Sequence, residues 1–211
     1  MLFRSSSDPA PPAGKEGTLD EAIAALKAGD NSFKALYWPL RTIKRGPAVA
    51  KRKEEVAGLL DPILILESLS LRRAAQEAIL IWGTKKNVPT LLKLLEYNDY
   101  GDKDAAIKGL GAVGGTKESA KALAGRLNES SHRSATIAAL KQMGPFAEDV
   151  IWQHIGSSDN SVHDAACKVL GQVGTAKSLT KLRNLRPESD SSRRSDVNNA
   201  IQEMEKRLVR R

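Results

Sequence analysis

One cysteine, three histidines and 4% aromatic residues are all that 211 positions supply, and each scarcity removes a class of protein. Lone Cys167 excludes an intramolecular disulfide framework and any multi-cysteine zinc site, and it fits a reduced, cytoplasmic setting. There is no Gly-x-Ser-x-Gly elbow, no phosphate-cradling loop and no paired carboxylates, so no nucleophilic or acid–base site can be assembled. No stretch approaches the roughly 18 consecutive apolar residues of a membrane span. The opening MLFRSSSDPAPPAG lacks the apolar core of a secretion signal. The expectation is a chain without cofactor, metal, catalysis or membrane span.

Charge is present in quantity: 33 Lys and Arg against 25 Asp and Glu, a net +8. A basic surface attracts phosphate by releasing counterions. The excess is uneven, however, because residues 176–211 hold ten cations and five acids and supply +5 of it. Residues 61–175 mix signs evenly, as solvated helix faces do.

The strongest signal is a repeat. LRRAAQEAILIWGT from Leu71, KDAAIKGLGAVGGT from Lys103, HRSATIAALKQMGP from His132 and VHDAACKVLGQVGT from Val162 align without gaps, the second entering one position later, with columns at offsets of 31, 30 and 30. One column reads Ala74, Ala105, Ala135, Ala165; a second Ile79, Leu110, Leu140, Leu170; a third Trp82, Val113, Met143, Val173; a fourth Gly83, Gly114, Gly144, Gly174. The small and apolar columns have helical spacing, and each glycine stands where a left-handed C-terminal cap is expected.

These segments predict the second helices of helix–turn–helix units. First helices lie between them, with stripes of Val88, Leu91, Leu92 and Leu95; Ala120, Leu123, Ala124 and Leu127; Val150, Ile151 and Ile155; and Leu179, Leu182 and Leu185. One unit cannot bury its apolar face alone, so stacking must remove it from water. Residues 190–211 read as a terminal cap: Ala200, Ile201 and Met204 keep the apolar columns while Glu205 replaces the glycine. TLDEAIAALKAGDNSFKALYWPLRTI holds a further helical pair, with Trp38-Pro39 expected to kink or restart the helix. Residues 1–17, rich in Ser, Pro, Ala and Gly, read as a disordered linker, which suggests a piece of something longer. The repeat domain is then 18–211, clearest over 71–175.

Helical pairs of about 30 residues with an Ala-rich second helix and a terminal Gly, as in LRRAAQEAILIWGT and VHDAACKVLGQVGT, resemble HEAT-like repeats of the short bacterial, phycobilisome-lyase-like type. The resemblance implies an all-α fold, a right-handed α-α superhelix of five to six helical pairs, used to hold another macromolecule. No residue matches a chromophore-lyase motif. Alkylpurine DNA glycosylases with such repeats need an acid flanked by aromatics, whereas Trp38, Trp82 and Trp152 fall in different copies and core packing explains Trp82 better.

His163 and Cys167, four apart on one helix, are a metal pair without a third ligand unless His154 folds inward; the column of Cys167 otherwise reads as surface. In such solenoids second helices line a concave face. The columns there are Arg73, Asp104, Ser134, Asp164; Gln76, Ile107, Ile137, Cys167; and Glu77, Lys108, Ala138, Lys168. Mixed polar and apolar columns suit a protein segment, with Ile107 and Ile137 as anchors and Arg73, Gln76, Lys108 and Lys168 around them. The expected function is a non-catalytic protein-binding scaffold. The alternative is nucleic-acid or anionic-surface binding through Arg193, Arg194, Arg207, Arg210 and Arg211.

Overall fold

The computed structural model describes residues 17–185 and 191–209; the linker reading over 1–16 and Arg210 and Arg211 fall outside them. Twelve α-helices and no strand occur among the described residues, in two compact units. The first ends at Gly83 and holds α1 (Leu19–Lys27), α2 (Phe33–Arg45), α3 (Lys53–Leu60) and α4 (Leu69–Trp82). The second starts at Thr84 and holds α5 (Val88–Leu94), α6 (Tyr100–Ala112), α7 (Lys117–Ala124), α8 (Arg133–Met143), α9 (Pro145–Ile155), α10 (Asn160–Val173), α11 (Ala176–Asn184) and α12 (Ser191–Val209). Two pairs in one unit and four in the other make an all-α helical repeat of six pairs.

Short polar residues start these helices by accepting orphan backbone N–H groups. Thr18 forms a capping box with Glu21, whose carboxylate takes the Thr18 amide at 2.7 Å. Asp99 accepts from the Asp102 amide at 2.9 Å and Asp159 from the Ser161 amide at 2.8 Å. The glycines that end the repeats split two ways. Gly114 (φ +79°) and Gly144 (φ +61°) have positive φ, although Gly144, with ψ −128°, is not the left-handed cap expected; Gly83 and Gly174 are extended, with ψ of 146° and 144°. What calls for glycine at Gly174 is space: a Cβ would lie 2.6 Å from Met204 Cε and 2.7 Å from the Leu170 carbonyl.

Within the second unit, α6, α8, α10 and α12 pack in sequence as one layer, and α5, α7 and α9 as the other. The first unit repeats the scheme, α2 on α4 and α1 on α3. Small residues let second helices approach: a Cβ on Gly111 would be 2.9 Å from Ala139 Cα. The apolar stripes are mostly buried as expected, although Leu92 and Leu179 are half-buried, Leu185 is 39% exposed and Leu94 is buried in addition. On α12, Val197, Ala200 and Met204 are buried and Ile201 only half so.

The restart expected as one outcome at Trp38-Pro39 does not occur: α2 is one helix through Pro39. A mid-helix proline costs about 3 kcal/mol. Leu36, Leu40 and Ile43 around it are fully buried and return about 1.5–3 kcal/mol each, which outweighs that cost.

Candidate interaction site

In α6 the buried arc is wide. Asp102, Ala106, Ile107, Gly109, Leu110 and Gly111 are all enclosed, because the helix packs against α5 on one side and α8 on another. Only a narrow strip meets solvent, and it recurs at 30-residue spacing. Lys108, Ala138, Lys168 and Asn198 are all exposed, as are Ala112, Gln142, Gln172 and Gln202. Beside them Asp104, Ser134, Asp164 and Arg194 are exposed or half-buried. Since α6, α8, α10 and α12 are successive neighbours, these three columns form one continuous face of the second unit.

The expected contact residues divide on this geometry. Lys108 and Lys168 stand on the exposed strip, and Ile137 is half-buried on α8. Ile107 is a correction: at 0% exposure it is core, and the same holds for Gln76 at 6%. Their column points at a neighbouring helix, which also buries Cys167 at 1% and overturns its surface reading. Arg73 is exposed on α4 of the first unit. The Gln142, Gln172, Gln202 column was missed by sequence reasoning, although carrying the 30-residue register four positions past Ala138, Lys168 and Asn198 finds it.

Electrostatically the two lysines of the face are paired, and exposed Arg194 leaves it a net +1. Lys108 Nζ lies 2.6 Å from Asp104 Oδ2, and Lys168 Nζ 2.7 Å from Asp164 Oδ2. An acid four residues before a lysine is the favourable order on a helix, worth a few tenths of a kcal/mol when exposed. Between the two ion pairs α8 presents Ser134, Ala138 and Gln142, without charge.

The candidate metal pair is committed elsewhere. His163 Nδ1 donates to the Ile155 carbonyl at 2.7 Å, and Nε2 faces Cys167 Sγ at 3.6 Å. Burial, with the charges of Asp196 and Asp164, pushes the Cys167 thiol up to about 12. His154 is half-buried on α9, and burial lowers its pKa. Among the described residues no three His, Cys, Asp or Glu side chains are gathered as metal ligands.

The C-terminal arginines are partly spent on structure. Arg193 donates to Asn160 Oδ1 at 2.9 Å and to the Ser157 carbonyl, and Arg207 donates to the Gly174 carbonyl. Arg194 is exposed. Trp82 is fully buried, as expected of a core residue. Trp152 donates to Ser178 Oγ at 2.8 Å, with Lys181 Nζ 5.0 Å above its ring. No helix among the described residues is long and apolar enough to cross a membrane.

The fold defines a class, the α-helical repeat solenoids. No family model matches the sequence, and no curated protein matches it. Solved structures do resemble it. A designed armadillo repeat protein in complex with the peptide (KR)4 is 14% identical, with a TM-score of 0.56 over 89% of this chain and 100% of that one. An engineered protein is 14% identical, with a TM-score of 0.55 over 90% and 99%. Computationally designed armadillo repeat proteins for modular peptide recognition give 15% identity and a TM-score of 0.53 over 88% and 99%. Likeness at such identity establishes the helical repeat fold.

Proposed function

We propose that this chain is a non-catalytic interaction module, and that it docks an extended protein segment along the exposed face of α6, α8, α10 and α12. One observation carries the reading: eight side chains, from Lys108 to Asn198 and from Ala112 to Gln202, stay exposed in two unbroken columns at a single 30-residue spacing. Core packing accounts for the neighbouring columns but makes no demand on these. Amides, lysines and alanines that recur once per helical pair suit a ligand that is itself periodic, as an extended backbone is. Packing on both sides holds each second helix, so docking orders few groups. The neighbour carrying (KR)4 is a precedent for this use of the fold. Here the amide-rich face of low net charge favours a segment read through its backbone.

Lys108, Ile137 and Lys168 remain in the contact set, joined by Ser134, Gln142, Gln172 and Gln202. Arg73 holds the same register on α4. Within helical repeats, the 30-residue period and Ala-rich second helices support the short bacterial HEAT-like type, and the buried, unpaired Cys167 suits the cytoplasm.

The test is selection of peptides from a random displayed library on the full chain, followed by affinity measurement on variants. Gln172→Ala and Lys168→Ala should each weaken selected peptides by about 0.5–1.5 kcal/mol without changing the thermal midpoint. Ala138→Arg should weaken them further by occupying the row. Failure to select any peptide, or binding indifferent to all three variants, would refute the proposal.

A further inference from the structure

A long run of unopposed charge lies in the first unit, away from the tail. Residues 31–53 hold seven Lys or Arg and no Asp or Glu. On α2, Leu36, Pro39, Leu40 and Ile43 face the core, which leaves Lys34, Tyr37 and Arg41, at i, i+3 and i+7, along the opposite side. The connection to α3 then adds Lys51, and the first residue of α3 adds Lys53. Lys44 is taken by Glu77 at 2.6 Å, and Arg52 by Asp20 and Glu55. Lys34, Arg41, Lys51 and Lys53 have no carboxylate partner among the described residues. Tyr37 is 37% exposed, and its ring is braced by Phe33 at 5.0 Å between centroids and 29° between planes.

From this arrangement we infer that the outer side of α2 and the α2–α3 connection form a binding site for single-stranded nucleic acid. Four cations without internal partners call for an anionic ligand, and their spread along a helix and its following connection calls for several anionic groups in a row. A phosphodiester backbone supplies them and releases counterions on binding. The exposed, braced tyrosine adds a platform for a base that is free to unstack, which a duplex does not offer. A lipid surface fits less well, because α2 exposes no aliphatic row for insertion: Tyr37 is its exposed large hydrophobic residue, and Val49 stands alone on the connection. This site is in the first unit and stands independently of the peptide face on the second.

The experiment is fluorescence anisotropy of the full chain with a labelled oligothymidylate of about 20 nucleotides, with its duplex, and with phosphatidylserine-containing vesicles as competitor. The unaltered protein should prefer the single strand. The combined variant Lys34→Ala, Arg41→Ala, Lys51→Ala and Lys53→Ala should bind at least about tenfold more weakly and flatten the log–log salt dependence by about 3, at roughly 0.7 per lost phosphate contact. Tyr37→Ala should weaken single-strand binding about tenfold and leave duplex binding nearly unchanged. A tail variant, Arg194→Ala with Arg210→Ala and Arg211→Ala, should retain binding. The replaced side chains of the combined variant lie outside the core, and the strand preference of the unaltered protein is a readout that needs no variant. Absence of binding at low salt, equal or stronger binding of duplex, capture by vesicles alone, indifference to the combined variant, or loss in the tail variant would each overturn the inference.

Discussion

The indole Nε1 of Trp82 donates a 2.9 Å hydrogen bond to the carbonyl oxygen of Ile43, both residues being fully buried between α4 and α2. Ile43 lies in the last turn of α2, where its carbonyl would look to the amide of residue 47. That residue is Pro47, which has no N–H. The tryptophan thus supplies the donor that the helix end lacks, which explains why the largest side chain of its repeat column stands in the second pair of helices. Trp82→Phe keeps most of the apolar volume but orphans a buried acceptor. It should destabilise the first unit by about 1–3 kcal/mol in urea denaturation followed by circular dichroism. A loss below about 0.5 kcal/mol would mean that water reaches the Ile43 carbonyl.

Two glycines inside helices should respond to alanine with opposite signs. Alanine is intrinsically better in a helix by about 0.5–1 kcal/mol. At Gly58 in α3 a Cβ meets nothing within 4 Å, so Gly58→Ala should gain about that amount. At Gly111 in α6 it would fall 2.7 Å from Gln142 Oε1 and 2.9 Å from Ala139 Cα, and a backbone atom cannot step aside as a flexible side chain can. Gly111→Ala should therefore cost about 1–3 kcal/mol by pushing α6 off α8. Thermal melts of the two variants side by side decide it.

The repeat was legible because its columns are cheap to read: Ala, Leu and Gly recurring at 30 residues can be seen without knowing what each touches. The width of the buried arc was not legible. A second helix packed on two sides hides most of the Gln76 and Ile107 column as well as the two columns that periodicity marks, so of the two expected anchors Ile107 turned out to be core and Ile137 half-buried. Buried polar positions mislead in the same direction. The column of Leu71 and Val162 continues as Asp102 and His132, which a hydropathy reading puts outside, yet they are 1% and 4% exposed. The basic stretch 31–53 was readable in principle. It escaped because Asp20, Glu21 and Asp30 before it and Glu54, Glu55 and Asp61 after it cut the net charge to +2 over residues 20–61.

Glu148 ties one repeat to the next and should give the second unit an acid-sensitive component. Its carboxylate accepts from the Thr175 amide and the Thr175 hydroxyl, each at 2.8 Å, and from the Ser178 hydroxyl, at the start of α11. Burial works to raise its pKa, but these donors and the charge of Arg207 outweigh burial and hold it below the ordinary value. A depressed folded-state pKa stabilises the protein above the unfolded value of about 4.3, and that stabilisation is lost as pH falls through the folded value. Glu148→Gln cannot ionise. Its stability deficit relative to the parent should be constant near neutrality and close progressively below about pH 4.5, as urea midpoints across the pH range would register. A deficit that grows in acid would contradict the assignment.

Cys167 offers a probe of how firmly α10 is held. Its thiol is 1% exposed, and a pKa near 12 leaves about one molecule in ten thousand as thiolate at pH 8. His163 does not offset this, because its Nδ1 is engaged with the Ile155 carbonyl and its Nε2 reaches Sγ only at 3.6 Å. Reaction with an aromatic disulfide reagent therefore requires α10 to part from its neighbours α8, α9 and α12. Labelling of the native chain should be slow and should accelerate at least about a hundredfold in denaturant, since packing on three sides places α10 at the stable end of local opening. Destabilising Met204, which covers Gly174 at the end of the same helix, should speed native labelling: Met204→Ala opens the α10–α12 contact and costs about 2–5 kcal/mol. Rapid labelling of the unaltered protein would instead place Cys167 at the surface, where its repeat column alone would have put it.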